Sequence, residues 1–361
     1  MGVCFITDPL VTTMGAVRPA LLLAKEFRQS GYDVTFITPR FDIEIALMLK
    51  GMDVSLKSVG PKISVISAFP TLDAWARCLI RQRTAEMHSS DVVINTSSCI
   101  IGQADVYYAQ GPMTKALDDV CSEMPMGYRY AYQLSGSSLR MLERNLVRRF
   151  KDFSRFFVAN SAFCASMYRE WGIQVEEVIN PPLDCSFFKP SVSKPDTDYI
   201  LTHFGVYGKE NKISVIKAIA DAGVKIKAFG NTSSTPKSLL SHTNIDFLGR
   251  VSNDELVDLY SNALYTLFAF NHEPFGYVPV ESMACGTPVL TYNKQGPSET
   301  VTNGKTGWLA YSDKNLFKLA INIWKNGYRR NMRSNCRNKS LIFDSKKIYE
   351  KWIKVLQNLE K

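Results

Sequence analysis

Two doubly wound α/β domains in series are the fold class this sequence predicts. Three observations carry that expectation. Short apolar strands alternate with amphipathic helices at βα spacing. A proline-rich polar stretch interrupts the alternation near the middle of the chain. The same alternation then restarts and runs on. At 361 residues the chain has room for two domains of ordinary size, each with its own core.

Taken in order, residues 3–7 read as a strand and 19–30 as a helix carrying Leu22, Leu23 and Phe27. Gly31-Tyr32 turns the chain into a strand over 33–38. Further strands are expected over 91–96, 106–109 and 156–160, the last followed by a helix over 162–171. Asn180-Pro181-Pro182-Leu183-Asp184, continuing through Pro190 to Pro195, is the linker. Beyond it, strands are expected over 199–204, 225–229, 246–248, 265–268 and 288–292. Helices are expected over 213–222, 253–261 and 277–284. The chain closes with helices over 314–325 and 345–361, the latter carrying Ile348, Trp352, Val355 and Leu356. These spans set a first domain over 1–183, a second over 184–344, and a C-terminal helix over 345–361 that packs back on the first. Two lobes on one linker imply a cleft, and ligands of open parallel sheets bind at the strands' carboxyl ends.

Composition narrows the classes. The chain is 45% apolar and 21% charged, as soluble globular proteins are. No apolar run reaches the ~20 residues of a membrane span. The first residues carry no basic leader, so no signal peptide and a cytoplasmic location are expected. Gly2 raises myristoylation, but Ile6 fails the hydroxyl preference. The eight cysteines form no C-x-x-C pair and sit in apolar surroundings, as in a reduced protein. A net charge of +9 favours anionic partners without choosing among them.

The most informative stretch runs from His272 to Val289. Glu273 precedes Pro274-Phe275-Gly276 in a loop, and Glu281 lies about one turn into a helix starting at Tyr277. Both carboxylates can line one crevice beside that helix start, where hydroxyls and phosphates could be held. Gly276 lets the main chain approach a ligand closely.

Ordered motifs along the chain resemble the GT-B glycosyltransferases of family 4, the retaining, nucleotide-sugar-dependent group. They are Gly15, Val158-Ala159-Asn160-Ser161, the linker, Leu248-Gly249-Arg250-Val251 and Glu273-Pro274-Phe275-Gly276 with Glu281. Gly286-Thr287-Pro288-Val289, Gly296-Pro297-Ser298-Glu299 and Gly304-Lys305-Thr306-Gly307 complete the set. The resemblance is dense over 156–310 and thin over 40–155. It implies a GT-B fold, two Rossmann-like domains facing across a cleft, the first binding acceptor and the second a nucleotide diphosphate sugar. It implies transfer of a hexose-type sugar to a hydroxyl acceptor, a glycan, lipid-linked glycan or glycolipid, without a cofactor or metal.

By the same resemblance Glu273 orients the donor sugar and Glu281 takes the ribose hydroxyls. Phe275, Gly276 and Tyr277 line the donor, and Val251 and Arg250 lie by the base, although a surface ion pair serves Arg250 equally well. The family places an arginine and then a lysine after the second domain's first strand. Here the arginine position is Val206, while Lys209 and Lys212 remain to stabilise the leaving diphosphate, Lys212 at the better spacing. Gly15 stands where relatives have a glycine pair, and Gln110 where many carry a histidine.

Three features stand outside this set. Asp196-Thr197-Asp198 precedes a strand, far from any carboxyl end, so solvated acids and no metal are expected. The histidines at 88, 203, 242 and 272 show no ligand spacing, and His272 is notable by location alone. Over 137–157 apolar residues recur at helical spacing beside Arg140, Arg144, Arg148, Lys151 and Arg155. That helix is either packed on the sheet with a solvated basic flank or a peripheral contact for anionic membrane. No nucleic-acid module accompanies the basic residues. Two other functions remain open: a nucleotide-sugar epimerase or hydrolase of the same fold, and an inert sugar-nucleotide-binding partner protein.

Overall fold

A computed structural model describes residues 2–13, 15–59, 70–80, 91–191, 195–205, 212–233 and 235–359. The chain divides into two compact units. Unit 1 comprises Met1–Pro112, Ser137–Pro182 and Ser345–Lys361; unit 2 comprises Met113–Gly136 and Leu183–Asp344.

Among the described residues unit 1 holds seven strands: β1 (Gly2–Ile6), β2 (Asp33–Thr38), β3 (Ser55–Ser58), β4 (Asp91–Asn95), β5 (Ala104–Ala109), β6 (Ser154–Ala159) and β7 (Glu177–Val178). They lie in the order β3-β2-β1-β4-β5-β6-β7. Every pairing is parallel. Alternation along β1 explains why both faces are covered. Val3 and Phe5 enter one apolar cluster, with Phe27 of helix Arg18–Gln29 and Trp352 of helix Ser345–Leu359. Cys4 and Ile6 enter another with Phe150, Phe157 and Tyr168. The Trp352 ring meets Tyr108 edge-on at 5.1 Å, and Ser345 donates to Glu26 at 2.5 Å. The expected C-terminal helix therefore belongs to unit 1.

The basic helix expected over 137–157 has different limits. One helix spans Met126–Asp152, and the chain then enters β6. From Ser154 the side chains alternate between the sheet's two clusters, Phe157 and Ala159 on one and Val158 on the other. That period of two, with pairing to β5, overrides the helical spacing read from the apolar residues. Arg155 consequently sits in a strand, 3.4 Å from Asp105, and Lys151 pairs with Glu176 at 2.5 Å. Arg140, Arg144, Arg148 and Lys151 of the expected row share the helix, and only Arg155 leaves it. Among the described residues no helix is long and apolar enough to cross a membrane.

Unit 2 holds β8 (Ile200–Phe204), β9 (Ile226–Gly230), β10 (Ile245–Gly249), β11 (Thr266–Phe268), β12 (Val289–Tyr292) and β13 (Gly307–Ala310). Their order is β10-β9-β8-β11-β12-β13, again all parallel. Gly307 opens β13 because a Cβ there would stand 2.0 Å from the Val289 carbonyl oxygen. Strand order reverses between β8 and β11, so the loops after those two strands flank the point where such sheets bind ligands.

Candidate functional site

In unit 2 the two loops at the reversal carry the predicted residues. Lys212 follows β8 and starts helix Ile213–Asp221; its N–H donates to the Ala269 carbonyl just past β11 at 2.8 Å. That bond ties the loop bearing Lys212 to the one that continues to Glu273. The Lys212 ammonium lies 3.0 Å from Asp313 Oδ1 and 5.0 Å from the centre of the Tyr292 ring. Asp313 also accepts from the Tyr292 hydroxyl at 2.6 Å.

Glu273 is half-buried, and its own carboxylate closes the turn. Oε1 accepts from the Gly276 N–H at 3.1 Å and the Phe275 N–H at 3.4 Å. These two amides therefore face Glu273. Gly276 caps helix Tyr277–Ala284 with φ of +93°, a left-handed conformation glycine adopts without strain. The Phe275 ring is buried, edge-on to Phe343 at 5.6 Å and Tyr277 at 5.5 Å, so it anchors the loop to the core.

Glu281 is only 2% exposed and accepts from the Tyr260 hydroxyl at 3.0 Å. Arg250 is exposed beyond β10, and Val251 packs against the core of unit 2. Val206 and Lys209 lie outside the described residues.

Three residues that the motifs did not single out organise this site. Asp119, from helix Met113–Val120, accepts from Gln295 Nε2 at 2.9 Å and lies 2.9 Å from His272 Nδ1. Gln295 Oε1 in turn accepts the Glu273 N–H at 2.7 Å. One carboxylate therefore fastens the residue before Glu273 and the side chain that holds its backbone. Burial pushes the Asp119 carboxyl up, but the His272 hydrogen bond and charge, with Gln295, outweigh it and hold the group below 3.8. Lys294 is the third. It stands 5.3 Å from the Tyr292 ring centre and 5.2 Å from that of Phe270, and donates to the Asn271 carbonyl at 3.4 Å. Burial first, then the charge of Lys212, holds its ammonium below the usual lysine range.

Unit 1 brings Gly15 and Gln110 together. Gly15 opens a short 3-10 turn, Gly15–Val17, and Gln110 Nε2 donates to the Ala16 carbonyl at 2.7 Å. Nearby in sequence, buried Asp8 accepts from Ser98 N–H at 2.8 Å, the Ser97 hydroxyl at 3.0 Å and the Cys99 thiol at 3.3 Å. Burial raises its carboxyl above 3.8, against the pull of those donors. Of the other motifs, Asp196-Thr197-Asp198 precedes β8, and Thr197 donates its N–H to Asn262 at 2.9 Å. His242 lies 3.0 Å from Asp221 and His203 packs on Phe229, ring centres 4.9 Å apart. His88 lies outside the described residues.

With this geometry in place, residues 188–340 match the family described as Glycosyl transferases group 1. The alpha-1,3/1,6-mannosyltransferase alg-2 of Neurospora crassa is 39% identical over 83 residues, 21% of this chain and 18% of that protein. The glycogen synthase of Mycobacterium tuberculosis is 41% identical over 61 residues, 17% of this chain and 15% of that protein. The chain thus spans less than a third of the length of these curated relatives. Among solved structures, Anabaena Alr3699/HepE in complex with UDP and glucose aligns with a TM-score of 0.72 at 16% identity, over 99% of this chain and 100% of that one. Sucrose-phosphate synthase from Thermosynechococcus elongatus aligns with 0.71 at 14% identity, over 99% of both. The fold of the whole chain is GT-B, and its second half carries a group 1 glycosyl transferase domain.

Proposed function

We propose, from the group 1 glycosyl transferase domain at residues 188–340, that this chain transfers a hexose-type sugar from a nucleotide diphosphate sugar to a hydroxyl acceptor. Configuration at the anomeric carbon is retained. One observation carries the reading: Lys212 and Glu273, on the two loops flanking the reversal of the sheet, are joined through the Lys212–Ala269 bond.

In this reaction Glu273 orients the donor sugar by accepting from its hydroxyls, and Glu281, oriented by Tyr260, accepts from the ribose. Lys212 stabilises charge as the diphosphate leaves. The departing phosphate oxygen takes the acceptor proton on the face from which it leaves, so the site requires no separate general base. A glycan or lipid-linked glycan is the acceptor class, and no metal takes part.

The test is a panel of uridine and guanosine diphosphate hexoses, each with and without glycan and lipid-linked acceptors. Acceptor-dependent release of nucleoside diphosphate with a new glycoside supports the reading. Donor turnover that ignores acceptor assigns a hydrolase or epimerase instead. Binding without turnover across the panel assigns an inert partner.

A further inference from the structure

Lys294 is a half-buried ammonium with little to hold it. Among the described residues its one hydrogen bond goes to the Asn271 carbonyl at 3.4 Å, beyond the usual range for such a donor. An ammonium has three N–H groups, so most of its capacity is unused. Aromatic rings of Phe270 and Tyr292 support it, but those contacts are weaker than pairing with an anion.

A second cation shares the same support. The Lys212 ammonium stands 5.0 Å from the Tyr292 centroid, against 5.3 Å for Lys294. Two like charges on one ring oppose each other, and both are kept from full hydration. The acids in their field are committed elsewhere: Asp313 to Lys212 and the Tyr292 hydroxyl, Asp119 to His272 and Gln295. The Phe275 and Gly276 amides, just before helix Tyr277–Ala284, are turned to Glu273.

We infer that Lys294, with Lys212, forms an anion site that takes the diphosphate of the nucleotide sugar. This assignment rests on the donor reading above and adds Lys294 to it as a binding residue. A diphosphate suits the pair because it offers oxygens on two phosphorus atoms to two cations that flank one ring. A monophosphate brings less charge and fewer oxygens to the pair, so it gains less from Lys294. Lysine binds phosphate as a point charge, so the pair needs no bidentate fork.

The experiment is calorimetric titration of the full chain with uridine and guanosine diphosphates and with the matching monophosphates. Wild type is compared with Lys294→Met, which keeps the stem without the charge, and Lys294→Arg, which keeps the charge. The expected result is diphosphate affinity weakened about tenfold or more in Lys294→Met, with monophosphate affinity little changed and diphosphate affinity largely restored in Lys294→Arg. If wild type binds the diphosphate and Lys294→Met binds it as tightly, Lys294 is not in the site, while the donor reading stands. An equal loss for mono- and diphosphate, not rescued by arginine, also overturns the assignment, because it marks a packing defect. If wild type binds neither nucleotide of either base, the donor reading and this inference fall together.

Discussion

The two units share a topology, a parallel sheet reversing beside its first strand, but treat the polar groups at its carboxyl edge in opposite ways. In unit 1, Asp8 gathers donors from Ser97, Ser98 and Cys99, and Gln110 closes on Ala16. Those groups hold their own loops. In unit 2, Asp119 and Gln295 hold the loop of Glu273, and the lysines around Tyr292 keep donors to offer. The same scaffold thus supports a self-satisfied edge and, on the donor reading proposed above, one that keeps donors for a ligand, and the difference lies in a few loop residues.

That contrast can be broken most sharply at Glu273. Glu273→Gln is expected to lower sugar transfer about 100-fold or more, measured as initial rate at saturating donor, with the melting temperature nearly unchanged. In unit 1 the expected effect is on stability instead. Asp8→Ala leaves several buried donors unmatched and should cost about 2–3 kcal/mol, read from denaturant unfolding, with nucleoside diphosphate affinity within about twofold of wild type. An Asp8 variant that lost nucleotide binding while staying fully folded would erase the contrast.

Asp119→Ala sharpens it. Releasing His272 and Gln295 should lower kcat/KM about tenfold, mainly through kcat, because Glu273 is loosened without losing its chemistry. A change confined to thermal stability would make Asp119 a brace and nothing more.

The smallest effect is one of sign. Asp8 has its carboxyl raised above 3.8, so its contribution to stability is full below that value and is lost as pH rises through the raised pKa. Asp119 has its carboxyl lowered, so its contribution is full above 3.8 and is lost as pH falls through the depressed pKa. Melting curves between pH 3 and 7 should therefore show Asp8→Asn gaining on wild type as pH rises. Asp119→Asn should gain on wild type as pH falls. Parallel curves for the two variants would contradict the opposite environments assigned to them.

Much of the fold was legible because buried parallel strands are short continuous apolar runs between turn signals. β1, β2, β8 and β11 all have that character. β3 escaped because Ser55-Leu56-Lys57-Ser58 is a mostly exposed edge strand with little apolar content, and β7 because it is two residues long. The helix over 137–157 was misjudged at its end because Phe153 and Phe157 continue a helical spacing by chance.

Local motifs point to Glu273, Gly276 and Lys212 as candidate site residues. They do not point to Asp119, since it lies 153 residues from His272 and its own helix carries no motif. Lys294 is a lysine in a turn until the fold sets it over Tyr292 beside Lys212. Glu281 was readable as a residue, but not its near-complete burial against Tyr260.

The central claim is tested most directly by the configuration of the product. The chain would be given an α-configured nucleotide diphosphate hexose and acceptor, and the anomeric proton of the new glycoside followed by NMR from the first turnover. The account predicts an α-linked product that appears only with acceptor present and forms about 100-fold more slowly, or slower still, in Glu273→Gln. A β-linked first product, or transfer undiminished in that variant, would contradict it.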